Sequence, residues 1–465
     1  MMRKTIWTFG IVCCVAALLI GSVPIATAQD GGQGAPGLGD PYYPGLGNGG
    51  YDTLHYTIDL TVDVEANTIS GTTTIEAEAT QALTSFNLDF DGLDIAAVTV
   101  DDIAADYSRD GFELTITPAS PIEQAATFTV AVTYNGVPVG YADPSIDGEQ
   151  DGWLQIEDTL FVLSEPAGAM NWYPCNNHPA DKATYTLNIT TAKDYTVAAT
   201  GVLTDEIDNG DTRTSVWEMT DPMATYLVSV TIGDFEVQLL DGPDGLPIRN
   251  YFPSDDAETY AEAFSSTSDM IEYFASLFGD YPFDTYGVVV VPSDFGEAME
   301  NQTLSLFSTD STDEYTIAHE LAHQWFGDSI TPATWDDIWL NEGFATYAEA
   351  LWAEYQDGEE GLTSYMSDLY DAMVDDEEGA PANPPVDDLF NGSVYLRGAW
   401  VLHALRLEVG DDLFFEILSS YYDRFQYANA TTDDFIGVAE EVSGEDLTDL
   451  FQTWLYNDEI PAMLE

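Results

Sequence analysis

The sequence HELAH runs from His319 to His323, and the sequence NEG follows it with Glu342 at its centre. On a helix, the two histidines stand four positions apart, so both imidazoles project from one face. Imidazoles with this spacing reach a single Zn²⁺ at about 2.0–2.1 Å, and Glu342 supplies a third ligand. Glu320 is placed to take the proton of a water that the metal activates. One coordination position stays open, so the pattern predicts a catalytic site with one Zn²⁺ per chain.

The surroundings of HELAH favour a metal site over a chance pattern. The chain has 5 histidines, and two of them fall at this spacing. Apolar residues flank both motifs, at 317–318, 325–326, 339–340 and 344–345. Polar groups in such surroundings are costly to leave unpaired, and a metal satisfies them. The alternative, an amphipathic helix with two solvated histidines, does not account for the apolar flanks.

Further segments resemble the gluzincin zinc aminopeptidases, the family of alanyl aminopeptidase and leukotriene hydrolase. The similar segments are WYPC at 172–175, EAMEN at 297–301, HELAHQWFG at 319–327, WLNEGFATY at 339–347 and YLRGA at 395–399. The resemblance covers residues 51–465. It implies a multidomain α+β protein, in which an N-terminal antiparallel β-sandwich or saddle domain precedes a thermolysin-like, mixed α/β and mainly helical catalytic domain. The long C-terminal helical domain of many relatives is expected to be missing.

The resemblance also implies roles for residues outside the zinc motif. Tyr395 corresponds to the family's donor to the oxyanion, and a phenol is a neutral donor at neutral pH. Glu300, with Met299 and Ala298 in the same signature, corresponds to the substrate-binding segment in which the glutamate binds the α-ammonium. Glu165 lies where the family has a second Glu or Gln, and a plain surface acid is the alternative for it. Glu297 stands in place of the usual glycine, and its effect on peptide docking is left open.

The texture of the sequence divides the chain into four parts. Residues 1–28 form a predicted signal peptide and 29–50 a flexible leader rich in Gly and Pro. Residues 51–240 alternate apolar and polar side chains and contain turn residues, which predicts an antiparallel β domain. Residues 241–465 carry apolar positions at helical spacing, for example over 256–278, and form the predicted catalytic domain. Residues 371–389 are acidic and rich in proline, which predicts a surface loop.

The N-terminus has the features of a secretory signal. Arg3 and Lys4 precede an apolar run over 6–20, and Ala26-Thr27-Ala28 fits a cleavage site. An uncleaved anchor helix is the alternative, but the apolar run is short for a membrane span. We therefore expect a secreted protein, extracellular or in the cell envelope, with no stable membrane span after cleavage.

The charge of the chain is extreme. Without Arg3 and Lys4, 8 basic residues face 83 acidic ones, a net charge of 8 − 83 = −75. This balance excludes nucleic acid as a partner, since phosphates are bound by Lys and Arg. In about 1 M salt the Debye length falls to about 3 Å and self-repulsion fades, so a saline habitat is one hypothesis. A solvated acidic surface without salt requirement is the other, and melting temperatures across a salt series distinguish the two.

These observations predict a secreted zinc aminopeptidase whose partners are peptide substrates with a free N-terminus. A zinc endopeptidase of the gluzincin type is the first alternative. A non-catalytic peptide-binding protein that retains the metal is the second. A carboxypeptidase is disfavoured because the chain has few arginines with which to bind a C-terminal carboxylate. The sequence does not determine the preferred N-terminal side chain or the oligomeric state.

Overall fold

A computed structural model describes residues 32–143, 145, 150–293, 296, 298–375 and 379–464. The predicted signal peptide and Glu297 lie outside these described residues. Numbered along the chain, the strands are β1 Gly32–Gln33, β2 Tyr51–Asp63, β3 Thr68–Ala79, β4 Leu83–Asp89, β5 Asp94–Val100, β6 Ile103–Ala104, β7 Asp106–Asp110, β8 Glu113–Thr117, β9 Thr127–Gly136, β10 Tyr141–Ala142, β11 Gln150–Ile156, β12 Thr159–Leu163, β13 Ala183–Ala192, β14 Thr196–Ala199, β15 Val202–Asp208, β16 Thr212–Met223, β17 Val230–Gly233, β18 Phe235–Asp241, β19 Pro247–Pro253, β20 Tyr286–Val290, β21 Ala298–Met299, β22 Ser305–Phe307, β23 Ile330–Pro332 and β24 Ala428–Ala430.

The helices lie almost wholly in the second half of the chain. They are α1 Ala257–Ala263, α2 Thr267–Phe278, α3 Glu314–Ala322, α4 Trp339–Asp357, α5 Glu359–Asp375, α6 Gly398–Val409, α7 Asp411–Phe425, α8 Thr432–Ser443 and α9 Thr448–Trp454. None of the helices in the described part of the chain has the length and apolar character that a membrane span requires. The α+β organisation, with β structure first and helices second, confirms the predicted fold class. The residue boundaries of the predicted domains stay predictions.

The largest sheet of the N-terminal half has eight strands in the order β15-β16-β13-β2-β3-β9-β5-β6. Alternating side chains bury one face: Tyr56, Ile58, Leu60 and Val62 of β2 are all at most 4% exposed. The sheet departs from the predicted antiparallel pattern at one place, where β13 pairs with β2 in parallel. A parallel neighbour needs a long crossover connection, and the chain between these two strands provides it.

A second sheet, with the order β18-β19-β20-β22-β21, belongs to the helical half. The helix predicted over 256–278 is interrupted by a 3₁₀ turn at Phe264–Ser266. Serine and threonine side chains compete for backbone hydrogen bonds, and the serines and threonine around this turn account for the break. The loop predicted over 371–389 begins later, because α5 continues to Asp375 and buries Met373 against the core.

The segment expected to be a flexible leader is packed against the protein where the structure describes it. Asp40 is 1% exposed and accepts hydrogen bonds from the backbone N–H groups of Tyr42, Tyr43 and Trp335. It also contacts His178, whose side chain is buried. The abundance of Gly and Pro predicts flexibility only where no side chain ties the segment down, and Asp40 does so here.

Candidate metal centre

Two helices bring the predicted zinc ligands together. Helix α3 begins after Asp313, whose carboxylate accepts hydrogen bonds from the N–H groups of Tyr315 and Thr316 at 3.1 and 3.2 Å. This N-cap fixes the start of the helix that carries His319 and leads into His323. Helix α4 packs against α3 and presents Glu342 from its first turn.

The three ligand atoms face one point. His319 Nε2 lies 3.2 Å from Glu342 Oε2, and His323 Nε2 lies 3.4 Å from the same oxygen. Ligands at about 2.0–2.1 Å from a tetrahedral ion are separated by roughly 3.3 Å, so the spacing suits one Zn²⁺. Glu342 is buried, and although burial works to raise its pKa, the two histidines lower that pKa to about 2. The carboxylate is therefore available as an anionic ligand.

The opposite nitrogens of both rings are already committed as donors. His319 Nδ1 lies 2.7 Å from Glu349 Oε1, and His323 Nδ1 lies 3.0 Å from the carbonyl oxygen of Phe326. A neutral imidazole that donates from Nδ1 carries its lone pair on Nε2. When a cation displaces the protons on both Nε2 atoms, it meets two lone pairs and a carboxylate that converge on one point. The residues present thus fit a zinc ion.

Glu320 lies beside this cluster without contributing to it. Its side chain is buried, and its Oε2 has no hydrogen-bond partner among the described residues. Burial raises its pKa to about 8, and this outweighs the opposing effect of the two histidines. Glu320, Glu300 and His323 offer ligand atoms that all lie within 4.8 Å of one another. A cation held beside Glu320 favours the ionised form of this carboxyl group, which can then accept a proton through its free oxygen.

The structure also brings Glu300 and Glu165 to the centre. Glu300 is 3% exposed, and its Oε1 has no partner among the described residues. Glu165 lies in the loop after β12, and one oxygen of its carboxylate is also buried and unpaired. Burial and the nearby Glu300 raise the pKa of Glu165 well above its usual value. The sequence left Glu165 open between a surface acid and a site residue, and the structure places it with the site carboxylates.

The other two residues of the predicted substrate-binding signature form a short strand. Ala298 and Met299 make up β21, which pairs antiparallel with β22 and lies at the edge of the five-stranded sheet. The strand leads directly into Glu300. An edge strand offers backbone groups that an extended peptide can pair with.

Tyr395 lies in a π-helical turn, Ser393–Arg397, that precedes α6. Its ring is stacked against the ring of His319, with centroids 6.1 Å apart and an interplanar angle of 23°. Burial and the neighbouring Glu342 raise the pKa of Tyr395 well above its usual value. The phenol therefore keeps its proton at neutral pH and serves as a hydrogen-bond donor. Insertions of this kind in a helix often occur at functional sites.

Two glycines form a close contact between the segments that carry Glu342 and Tyr395. Gly343 of α4 and Gly398 of α6 approach so closely that a Cβ on Gly343 would lie 2.8 Å from the Cα of Gly398. Gly343 follows Glu342 directly, and Gly398 follows the turn that carries Tyr395. The spacing of residues along one helix does not indicate that these two glycines meet.

We expect Gly343→Ala to lower both stability and activity. Overpacking of this kind costs about 1–3 kcal/mol, more than the roughly 1 kcal/mol that alanine contributes as the better helix former. Separation of the helices displaces Tyr395, and a shift of about 1 Å can lower kcat about 10²-fold. Thermal melting and kcat measure the two effects. Gly437→Ala in α8 is the matched control, because a Cβ there meets nothing within 4 Å. A Gly343→Ala protein as stable and active as the wild type would contradict this role.

Glu349 is a functional candidate that the sequence analysis missed. It follows Glu342 by seven residues, two helical turns, so both carboxylates project from one face of α4. Its Oε1 contacts His319 and its Oε2 accepts a hydrogen bond from Tyr365 of α5. Carboxylates in this position orient a ligating histidine and increase its basicity. The spacing of seven residues between Glu342 and Glu349 is the feature of the sequence that could have indicated this role.

Comparisons with known proteins agree with this geometry. Residues 52–227 match the Peptidase M1 N-terminal domain, and residues 262–454 match the Peptidase family M1 domain. Aminopeptidase A of Gloydius brevicauda is 27% identical over 442 residues, which cover 86% of this chain and 46% of that protein. Human glutamyl aminopeptidase is 29% identical over 64% of this chain and 34% of its own length. The chain thus spans about a third to a half of the curated relatives it matches.

Solved structures of similar size also match. The M1 zinc metallopeptidase of Deinococcus radiodurans superimposes with a TM-score of 0.86 at 30% identity, over 92% of this chain and 99% of that one. A mutant of that enzyme bound to the substrate Tyr-Ser-Ala superimposes with a TM-score of 0.87 over the same shares. With both M1 domains present in order along one chain, the protein belongs to peptidase family M1.

Proposed function

We propose that this protein is a zinc aminopeptidase that removes N-terminal residues from peptides. The observation that carries the proposal is the convergence of His319 Nε2, His323 Nε2 and Glu342 Oε2, with both Nδ1 atoms committed as donors. Unpaired carboxylates beside this cluster add a proton acceptor and a binding site for an ammonium group. Family membership supports the same conclusion.

The chain's own residues supply most of the mechanism. His319, His323 and Glu342 would hold Zn²⁺, and the ion would supply Lewis acidity that lowers the pKa of water to about 7 and polarises the scissile carbonyl. Glu320 takes the proton of the attacking water and transfers it to the leaving amine. The phenol of Tyr395 donates a hydrogen bond to the carbonyl oxygen as negative charge develops there. Glu300 and Glu165 bind the α-ammonium of the peptide.

Recognition of a free amine separates this proposal from the endopeptidase alternative. We expect kcat/KM for a peptide with a free N-terminus to exceed that for its N-acetylated form by about 10²-fold or more, since each hydrogen bond to a charged group contributes about 1.5–3 kcal/mol. Paired assays on one peptide sequence measure the ratio. Equal cleavage of both forms would favour an endopeptidase, and binding of both without cleavage would favour the non-catalytic alternative.

The contacts of the basic residues indicate which N-terminal side chain of the substrate is preferred. Every Lys and Arg in the described part of the chain contacts a carbonyl or carboxylate: Arg109 with Leu93, Lys182 with Asp328 and Ser329, Lys193 with Asp208, Arg213 with Glu206, Arg249 with Ala199, Arg397 with Trp454, Arg406 with Glu354, and Arg424 with Glu441. An acidic N-terminal side chain would instead meet the site carboxylates. The negative charges of the substrate side chain and of the site carboxylates would then repel each other.

We therefore expect the protein to discriminate against acidic N-terminal residues, in contrast to what the name glutamyl aminopeptidase implies for its relatives. The kcat/KM for a Glu-arylamide is expected to be at least about tenfold below that for a Leu-arylamide, which corresponds to about 1.4 kcal/mol. Arg-arylamide serves as the cationic comparison. Faster cleavage of the Glu substrate than of the Leu substrate would contradict this expectation.

We also propose that the mature protein acts outside the cytoplasm, in the extracellular space or the cell envelope. The charged start, apolar run and cleavage signature of residues 1–28 support this location. Sequencing the N-terminus of the protein from the host tests it. A mature chain that begins just after Ala28 supports export with cleavage, and a cytoplasmic chain with an intact N-terminus would contradict it.

A further inference from the structure

The segment from Glu300 to Leu304 forms a tight turn between β21 and β22. The N–H of Leu304 donates to the carbonyl oxygen of Asn301 at 2.9 Å, and Thr303 adopts a φ of +69°. A threonine in this left-handed region is unusual and requires support from its surroundings. The turn therefore depends on contacts outside itself for its shape and for the position of the Glu300 carboxylate.

One buried side chain, that of Gln324, forms two hydrogen bonds with the backbone of this turn. Its Oε1 accepts a hydrogen bond from the N–H of Thr303 at 2.8 Å, and its Nε2 donates to the carbonyl oxygen of Glu300 at 3.0 Å. The hydroxyl of Tyr281 lies 3.3 Å from the same Oε1. Gln324 is fully buried. Because Thr303 offers only a donor and Glu300 only an acceptor here, the amide has one satisfactory orientation.

Gln324 also follows His323 directly along the chain. Its amide therefore connects the zinc helix to the segment that carries Glu300. The Glu300 carboxylate has no partner of its own among the described residues on Oε1, so its backbone determines where it lies. Gly201, Leu227 and Pro222 also form hydrogen bonds with the turn. The amide of Gln324 is the contact that links the turn directly to the zinc helix and so determines the distance between the metal and the ammonium-binding carboxylate. That distance decides which peptide bond is adjacent to the metal when the ammonium is bound.

We propose that Gln324 is a positioning residue that fixes Glu300 relative to the metal and thereby sets the recognition of the α-ammonium. The inference rests on the proposed aminopeptidase function. Gln324 touches no substrate, since both of its polar atoms are used by the protein. Its loss weakens amine recognition while the metal ligands stay in place.

Two inhibitors that differ only in the amine test the proposal without depending on turnover. Leucine hydroxamate carries the α-ammonium, and 4-methylpentanohydroxamate lacks it. In the wild-type holoenzyme we expect the amine-bearing compound to bind at least about tenfold more tightly, by one charge-assisted hydrogen bond. In Gln324→Leu this ratio is expected to fall to about threefold or less. The Ki of the compound without the amine and the zinc content stay unchanged.

Two further variants distinguish positioning from a general loss of structure. Gln324→Glu keeps the length and an acceptor for Thr303 but loses the donor to Glu300, so its ratio is also expected to fall. Asn171→Leu is the matched control, because Asn171 is a buried amide that accepts from Trp153 N–H and donates to the carbonyl of Val139. Its ratio is expected to match the wild type.

The outcomes separate this inference from the function on which it rests. A wild-type ratio near one would overturn amine recognition and the inference with it. A large wild-type ratio that persists in both Gln324 variants would overturn the inference alone. Equal weakening of both inhibitors in the Gln324 variants would do the same, because it would indicate damage to the metal centre. If Gln324→Leu does not fold, the Gln324→Glu result decides.

Discussion

Replacement of Glu320 by Gln is expected to lower kcat by about 10³-fold or more while zinc stays bound. The amide has the size and shape of the carboxylate but cannot take a proton from water, and general acid–base catalysis contributes about 10²–10⁴-fold. None of the three atoms that converge on the zinc position belongs to Glu320, and its Oε2 is unpaired among the described residues. The metal centre should therefore remain intact. Single-turnover kinetics and zinc content together measure the effect.

The matched control for Glu320→Gln is Glu349→Gln, which alters a carboxylate one contact farther from the reaction. Glu349 orients His319, and changes of this kind cost about 10–100-fold in metal affinity or activity. Glu349→Gln should therefore weaken zinc binding, and Glu320→Gln should not. A Glu320→Gln enzyme with kcat within tenfold of the wild type would show that another group takes the proton.

Replacement of Tyr395 by Phe is expected to lower kcat by about 10²–10³-fold with little change in KM. Removal of one donor to a developing oxyanion has a cost of this size. The stacking of Tyr395 on His319 depends on the ring and not on the hydroxyl, so the ring should stay in place. Steady-state kinetics on an aminoacyl-arylamide separates the two parameters.

Tyr347→Phe is the control for Tyr395→Phe. Tyr347 is also a buried tyrosine, and its hydroxyl lies 3.3 Å from Nδ1 of His403, on the other side of α4 from the metal ligands. It should change kcat by less than about threefold, since hydrogen bonds away from the metal centre contribute about 1 kcal/mol each to stability and none to the reaction. If Tyr395→Phe behaves like Tyr347→Phe, the oxyanion is stabilised by another donor.

The sequence predicted those features of the site and of the core that follow from the spacing of residues within one helix or strand. His319 and His323 are one helical turn apart, and the alternation along β2 places Tyr56 and Ile58 in the core. The structure agrees with both. Tyr395 and Glu300 were inferred from family resemblance, and the structure brings them to the metal ligands. The family itself is confirmed by both M1 domain matches.

The sequence did not predict contacts between segments that are far apart along the chain. Glu165 lies far from Glu300 along the chain, yet burial and the charge of Glu300 raise its pKa. Gln324 bonds to residues that lie 21 and 24 positions before it, and nothing in its local sequence indicates these partners. Asp40 ties down a segment whose composition alone predicts flexibility. Such contacts depend on tertiary structure and cannot be read from periodicity.

Diffraction from crystals of the purified protein, measured on both sides of the zinc absorption edge, locates the metal and its ligands. We expect one anomalous peak per chain, within about 2.3 Å of Nε2 of His319, Nε2 of His323 and an oxygen of Glu342. We also expect Glu320 to lie outside the coordination sphere. A peak held by other residues, or no peak in protein supplied with zinc, would contradict this zinc site.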